Sequence, residues 1–313
     1  LTQLKQMPNR KDRLLKAVHF INHTIATAAQ LKQMLHISND NYFEWRFGNI
    51  YYTKKGTGSP ILLIHDTLPG ASGYEWSKIE DELAIDHTVY TVDLLGCGRS
   101  DKSSITYTNF VYVQMISDFI KKIIGQKTDV IASGFSGSFV TMACHNEKEL
   151  FNKIMLVNPP SLTQLKQMPN RKDRLLKAAL EIPIFGTLVY HMIVSRDNIN
   201  NLFIEKMYYN PFHVDNQMAD AYYEAAHKGG YYTRFLYSSL AAKYININIC
   251  HALKALDNSI YIVEGETEPN GKAVTDDYCA SNPAIEVSVL KETKHLPHVE
   301  APEAFLEQVK IFF

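Results

Sequence analysis

Cysteine is scarce in this 313-residue chain. Cys97, Cys144, Cys250 and Cys279 stand far apart, with no CxxC pair among them. That spacing excludes a disulfide-dense scaffold, and free thiols fit a reducing cytosol, so a cytoplasmic setting is expected. Long apolar runs are also missing. The longest candidate, Ile184 to Val194, is broken by Tyr190 and His191, and it falls short of the roughly 20 residues that span a bilayer. Neither charge sign is in excess. With 32 Lys and Arg against 33 Asp and Glu, the net charge of −1 gives no field to attract nucleic acid or an anionic membrane. The chain opens at Leu1 with no signal-peptide pattern, so secretion is not expected. What it does have is a hydrophobic fraction of 46%, enough for a sizeable core in one large domain or two small ones.

Leu1–Ala17 recurs without a mismatch as Leu162–Ala178. Old structural repeats drift in sequence, and two distant copies do not make a solenoid. The duplication therefore carries no functional weight. Each copy holds +4, so the chain without the first copy has a net charge of −1 − 4 = −5.

The hydrophobic period changes along the chain. Asn22–Leu35 has loose helical spacing and is expected to form a helix in an N-terminal extension over 1–41. Tyr42–Phe47 and Ile50–Thr53, around Gly48-Asn49, form a hairpin pattern. Short apolar runs follow at Ile61–His65, Val89–Asp93, Asp129–Ser133, Lys153–Asn158, Ser259–Glu264 and Ile285–Leu290. Such runs suit strands buried on both faces of a largely parallel sheet. Amphipathic stretches such as Tyr112–Ile124, Phe139–Glu147 and Pro302–Phe312 lie between or after them. Strand alternating with helix predicts an α/β sheet. The alternation fails from about 160 to 253, where nine of the chain's 18 tyrosines cluster between Tyr190 and Tyr244. A helical insertion over the sheet's C-terminal edge is expected, with Tyr190, Tyr208 and Tyr209 as candidate pocket-lining residues.

The segment richest in chemistry is Asp129-Val-Ile-Ala-Ser-Gly-Phe-Ser-Gly-Ser138. A buried strand runs through Gly134-Phe135-Ser136-Gly137 straight into a helix. In a nucleophile elbow, this context lifts a serine hydroxyl clear of the sheet. Ser138 stands where the motif G-x-S-x-G expects its last glycine. A serine nucleophile needs a base, and the base needs an orienting acid. Val263-Glu-Gly-Glu-Thr-Glu-Pro269 ends one strand in carboxylates, and Lys294-His-Leu-Pro-His298 follows the last strand. The order Ser136, Glu268, His295 makes these three the catalytic candidates, with Glu266 the neighbouring alternative acid. His295 and His298 lack metal-site spacing, and Gly96-Cys97-Gly98 lacks the third glycine of a dinucleotide fingerprint. No metal and no cofactor are therefore expected.

Taken with ILLIHD, VYTVDLLGCGRSDK and KHLPHVEAPEAF, these motifs resemble the α/β-hydrolase superfamily over roughly Tyr42 to Phe313. The resemblance implies an α/β-hydrolase fold: a mostly parallel eight-stranded sheet with flanking helices, and a helical lid inserted after the sixth strand. The core would occupy 42–160 and 254–313, and the lid 161–253. The resemblance also implies oxyanion donors at the backbone N–H groups of Gly137 and Thr67. Phe135 and Asp66 would touch substrate. Asp66 stands where this superfamily usually has glycine. A carboxylate about 6 Å from a forming oxyanion would oppose it by ~2.8 kcal/mol at an effective dielectric of 20, so Asp66 is expected to turn away.

The expected function is therefore lidded serine hydrolysis of a small, fairly apolar ester or thioester. Carbon–carbon, amide and lactone hydrolysis and cofactor-free haloperoxidation remain open to the same triad. A ligand-binding protein with slow or lost catalysis is the alternative that Asp66 and Ser138 keep alive.

Overall fold

The computed structural model describes residues 41–313, together with Leu35. The expected extension, its helix and the first copy of the duplicated segment lie outside these residues, apart from Leu35 and Asn41.

Eight strands form one sheet: β1 (Tyr42–Trp45), β2 (Gly48–Lys55), β3 (Ser59–Ile64), β4 (His87–Val92), β5 (Thr128–Ser133), β6 (Phe151–Val157), β7 (Ile260–Gly265) and β8 (Glu286–Leu290). Their spatial order is β1-β2-β4-β3-β5-β6-β7-β8. β1 and β2 form the expected antiparallel hairpin, β2 pairs antiparallel with β4, and every other pairing is parallel. The apolar runs are continuous because both faces of the central strands are covered. Along β3, Leu62 and Ile64 enter one core cluster while Ile61 and Leu63 enter the other. Side chains alternate faces with a period of two, so one strand feeds two cores. β8 departs from this. It is the sheet's last strand, and Val287 and Val289 are exposed, so the expectation of burial on both faces fails at this edge.

Helices pack against both faces. α1 (Asn109–Phe119) is capped by Thr108, whose side chain accepts from the Val111 N–H. α2 (Ser136–Asn146) follows β5. Between β6 and β7 come only helices and turns. They include α3 (Arg171–Glu181), α4 (Pro183–Ile193), α5 (Asn216–His227) and α6 (Thr233–Ala241). The second copy of the duplicated segment opens this stretch. There Asn170 and Asp173 close a reciprocal capping box on α3. α7 (Gly271–Ser281) and α8 (Pro302–Phe312) return to the sheet. No single helix among the described residues is long and apolar enough to cross a membrane, and α3 and α4, which together have the composition for it, meet at 95°.

Candidate active site

Parallel strands deliver their following loops to one edge of the sheet. β3 pairs with β5, β6 with β7, and β7 with β8. The loops carrying Asp66, Ser136, Glu268 and His295 therefore gather at the C-terminal ends of neighbouring strands.

Ser136 is the first residue of α2, directly after the turn at Gly134, which has φ +53°. A left-handed backbone favours glycine. Here space is a second demand, since a Cβ on Gly134 would lie 2.2 Å from the Asp66 carboxylate. Ser136 is buried, and its Oγ donates to the His65 carbonyl oxygen at 2.6 Å. Thr67 Oγ1 lies 3.1 Å from Ser136 Oγ. His65 itself has a structural role. Its Nε2 accepts from the Leu94 N–H, which leaves Nδ1 to donate to the Asp66 carbonyl oxygen.

His295 Nδ1 stands 3.2 Å from Glu268 Oε1, the pairing a base and its orienting acid require. Glu266 faces elsewhere and accepts from the Glu292 N–H. The other imidazole nitrogen, Nε2, meets Asp66 Oδ2 at 3.3 Å, and the Ser136 hydroxyl is turned to His65 instead. Asp66 corrects its expectation. It is hydrogen-bonded but does not turn away: Oδ1 accepts from the backbone N–H of Thr67 (2.6 Å) and of Phe135 (2.8 Å). The physical reason is local. Two convergent backbone donors and an imidazole satisfy a buried carboxylate that would otherwise lack partners. As a result, the Thr67 amide expected to hold an oxyanion already holds Asp66. The Gly137 amide donates to the Gly134 carbonyl oxygen at 3.2 Å.

These contacts control the charge on His295. Burial alone would lower its pKa, but hydrogen bonds and charge from Asp66 and Glu268 outweigh burial and push it up to about 10. At neutral pH the ring is an imidazolium, a proton donor rather than a base.

A cavity of about 570 Å³ opens beside these groups, lined by Asp66, Phe135, Glu268 and His295 among others. Ser136 is buried and is not part of this lining. The three candidate tyrosines do not reach the cavity. Tyr190 is buried in the insertion with its hydroxyl on the Ala226 carbonyl, Tyr208 is buried, and Tyr209 contributes its backbone N–H to Glu300. The Tyr190 ring packs against Tyr237 and His191, the commonest use of a large aromatic side chain, whereas Tyr208 and Tyr209 line a separate cavity.

Two positioning groups escaped sequence reasoning. Asn158 directly follows β6 with φ +44°. Its Nδ2 donates to the carbonyls of Lys294 and His295, while its Oδ1 accepts from the Gly265 N–H. One side chain thus ties together the ends of β6, β7 and the His295 loop. The Pro159-Pro160 pair after it was the available signal, because a chain that cannot continue a strand needs a turn residue there. Glu75 is the second. It is fully buried, 3.3 Å from His298 Nε2, and accepts from the Asp66 N–H and the Tyr222 hydroxyl. Burial alone would raise its pKa, but His298 and its other neighbours outweigh that and hold the carboxyl below its usual range.

A parallel sheet flanked by helices, an elbow serine at a strand-to-helix turn and a helical insertion after the sixth strand define the α/β-hydrolase class. The model of the Alpha/beta hydrolase family matches residues 61–308, and the chain belongs to that family. A curated relative, the 2-hydroxy-6-oxo-6-(2'-aminophenyl)hexa-2,4-dienoic acid hydrolase of Metapseudomonas resinovorans, is 29% identical over 113 residues. That match spans 36% of this chain and 39% of the relative, so well under half of either length is covered. Among solved structures, the 2-hydroxy-6-oxo-6-phenylhexa-2,4-dienoate hydrolase of a Rhodococcus species aligns with a TM-score of 0.70 at 17% identity, over 87% of this chain and 97% of that one. The carboxylesterase CesB of Bacillus subtilis aligns with a TM-score of 0.64 at 14% identity, over 93% and 96% of the two chains. At these identities the structural likeness establishes the fold.

Proposed function

We propose that this hydrolase cleaves a small ester or thioester through an acyl-enzyme on Ser136. The reading rests chiefly on the 3.2 Å Glu268–His295 pair at the strand ends beside a serine that opens a helix straight after a buried strand. In this mechanism Asp66 first swings off Thr67 and His295, and His295, no longer held as an imidazolium, loses its Nε2 proton to solvent. His295 Nε2 then takes the Ser136 proton as Oγ attacks the carbonyl carbon. The Thr67 and Gly137 amides hold the oxyanion, and Glu268 steadies the imidazolium. His295 returns the proton to the leaving group, and water releases the acyl group by the reverse relay. Helices 161–253 act as the lid over this pocket, and the substrate is a small molecule.

Releasing Asp66 costs hydrogen bonds to a charged group, each about 1.5–3 kcal/mol. The intact enzyme is therefore slow at neutral pH. The same observation supports a second reading, in which the cavity binds a ligand and catalysis is vestigial. The choice of bond also stays within the fold's repertoire. The dienoate substrates named for two relatives contain no ester or amide, so hydrolysing them breaks a carbon–carbon bond.

Turnover of nitrophenyl esters of graded chain length separates the readings. A nucleophilic Ser136 predicts a loss on the order of a million-fold in Ser136→Ala. Equal turnover by wild type and Ser136→Ala would reject the hydrolase mechanism in favour of the binding protein.

A further inference from the structure

Three carboxylates in the cavity, Asp66, Glu205 and Glu264, lie outside the triad. Glu264, at the end of β7, is 5% exposed and lines the cavity, and its Oε2 is buried with no hydrogen-bond partner. The packing is built around this acid, since a Cβ on Gly271 would lie 1.7 Å from Glu264 Oε1. A second acid oxygen in the same cavity, Glu268 Oε2, is also buried and unpartnered. His295 cannot serve either oxygen, because its two nitrogens already face Asp66 Oδ2 and Glu268 Oε1. Glu205 adds a further carboxylate to the lining, and among the described residues Lys206 is its only lysine or arginine.

A buried acid oxygen without a donor costs free energy that a ligand can recover. Two such oxygens in one cavity call for a group with several N–H donors and a positive charge. A hydroxyl brings a single donor and no charge, whereas a primary ammonium brings three donors and a full charge.

We propose that Glu264 and the free oxygen of Glu268 form a subsite for a primary ammonium group, so that the substrate is an amine-bearing ester or thioester. This rests on the hydrolase reading of the site and adds to it the charge of the substrate. The apolar remainder of the lining, including Leu68, Phe135 and Met207, holds the chain between the ammonium and the scissile carbonyl.

The test compares 4-nitrophenyl 6-aminohexanoate with 4-nitrophenyl heptanoate, which match in length and exchange an ammonium for a methyl. Wild type should favour the amino ester by about tenfold or more in kcat/KM, the size of one good charge-assisted hydrogen bond. In Glu264→Gln, which keeps the side chain's volume, that ratio should fall close to one. A wild-type ratio of one or less, or a ratio that survives Glu264→Gln, overturns the subsite. Calorimetry on Ser136→Ala separates this from the hydrolase reading, since binding needs no turnover. Hexylamine binding more tightly than hexanol, with the difference lost when Glu264→Gln is added, upholds the subsite even if neither ester is cleaved. Equal binding of the two overturns it.

Discussion

At the scale of single residues, Asp66 decides how the site behaves. Its carboxylate holds two backbone donors and one nitrogen of the His295 ring, and it raises that ring's pKa. A general base works only when deprotonated, so ester hydrolysis by wild type should climb with pH up to about 10, the value to which His295 is pushed. Asp66→Asn removes one of the two charges facing the ring and weakens the hold on Thr67. Its pH–rate profile should shift toward neutrality, and kcat/KM at pH 7 should rise by about tenfold or more. An unchanged midpoint would free Asp66 of this role. A collapse of activity would make it part of the chemistry. The sign is reversed for folding. A pKa raised in the folded state stabilises the protein fully below the usual histidine value of 6.5, and that contribution is lost as pH rises through about 10.

At the scale of elements, catalytic geometry depends on how strand ends are tied. Asn158 bonds both to the end of β7 and to the His295 loop. Asn158→Ala should lower kcat by about a hundredfold, the cost of misplacing a catalytic group by an ångström, with KM little changed. Proportionate losses in kcat and folded fraction would instead make Asn158 purely structural. The contrast between Asn158 and the triad shows what was readable in advance. The elbow and most strands were legible because β3, β5, β6 and β7 are buried on both faces and carry unbroken apolar runs, while the β1–β2 hairpin carries its own turn signal. The Glu268–His295 contact was legible from the order of the two residues after strand ends. Asp66's inward turn was not. It depends on the Phe135 amide, 69 residues away in sequence, and on the room that Gly134 leaves. The tyrosines of the insertion misled for a related reason, since a residue type that suits both packing and pocket lining does not reveal which face it takes.

At the scale of the whole molecule, one buried carboxylate, Glu75, links the insertion to the loops at the sheet's edge. Glu75 receives the Tyr222 hydroxyl from α5 and the Asp66 N–H from the loop after β3, and it faces His298 from the loop after β8. Breaking a buried pair leaves a partner unsatisfied, so Glu75→Gln should cost about 3 kcal/mol of stability in denaturant unfolding. Its pKa is held below the ordinary 4.5, so its stabilisation is present above that value and fades as pH falls through the lowered one. Wild type should therefore lose more Tm than Glu75→Gln between about pH 5 and about pH 3. Equal losses would mean that the pair does not carry acid stability. The proposal that Ser136 is the nucleophile is tested most directly by intact-protein mass after exposure to a fluorophosphonate. The account predicts a single adduct on Ser136, slow in wild type, faster in Asp66→Asn and absent from Ser136→Ala. No adduct on Ser136 in either wild type or Asp66→Asn would contradict it.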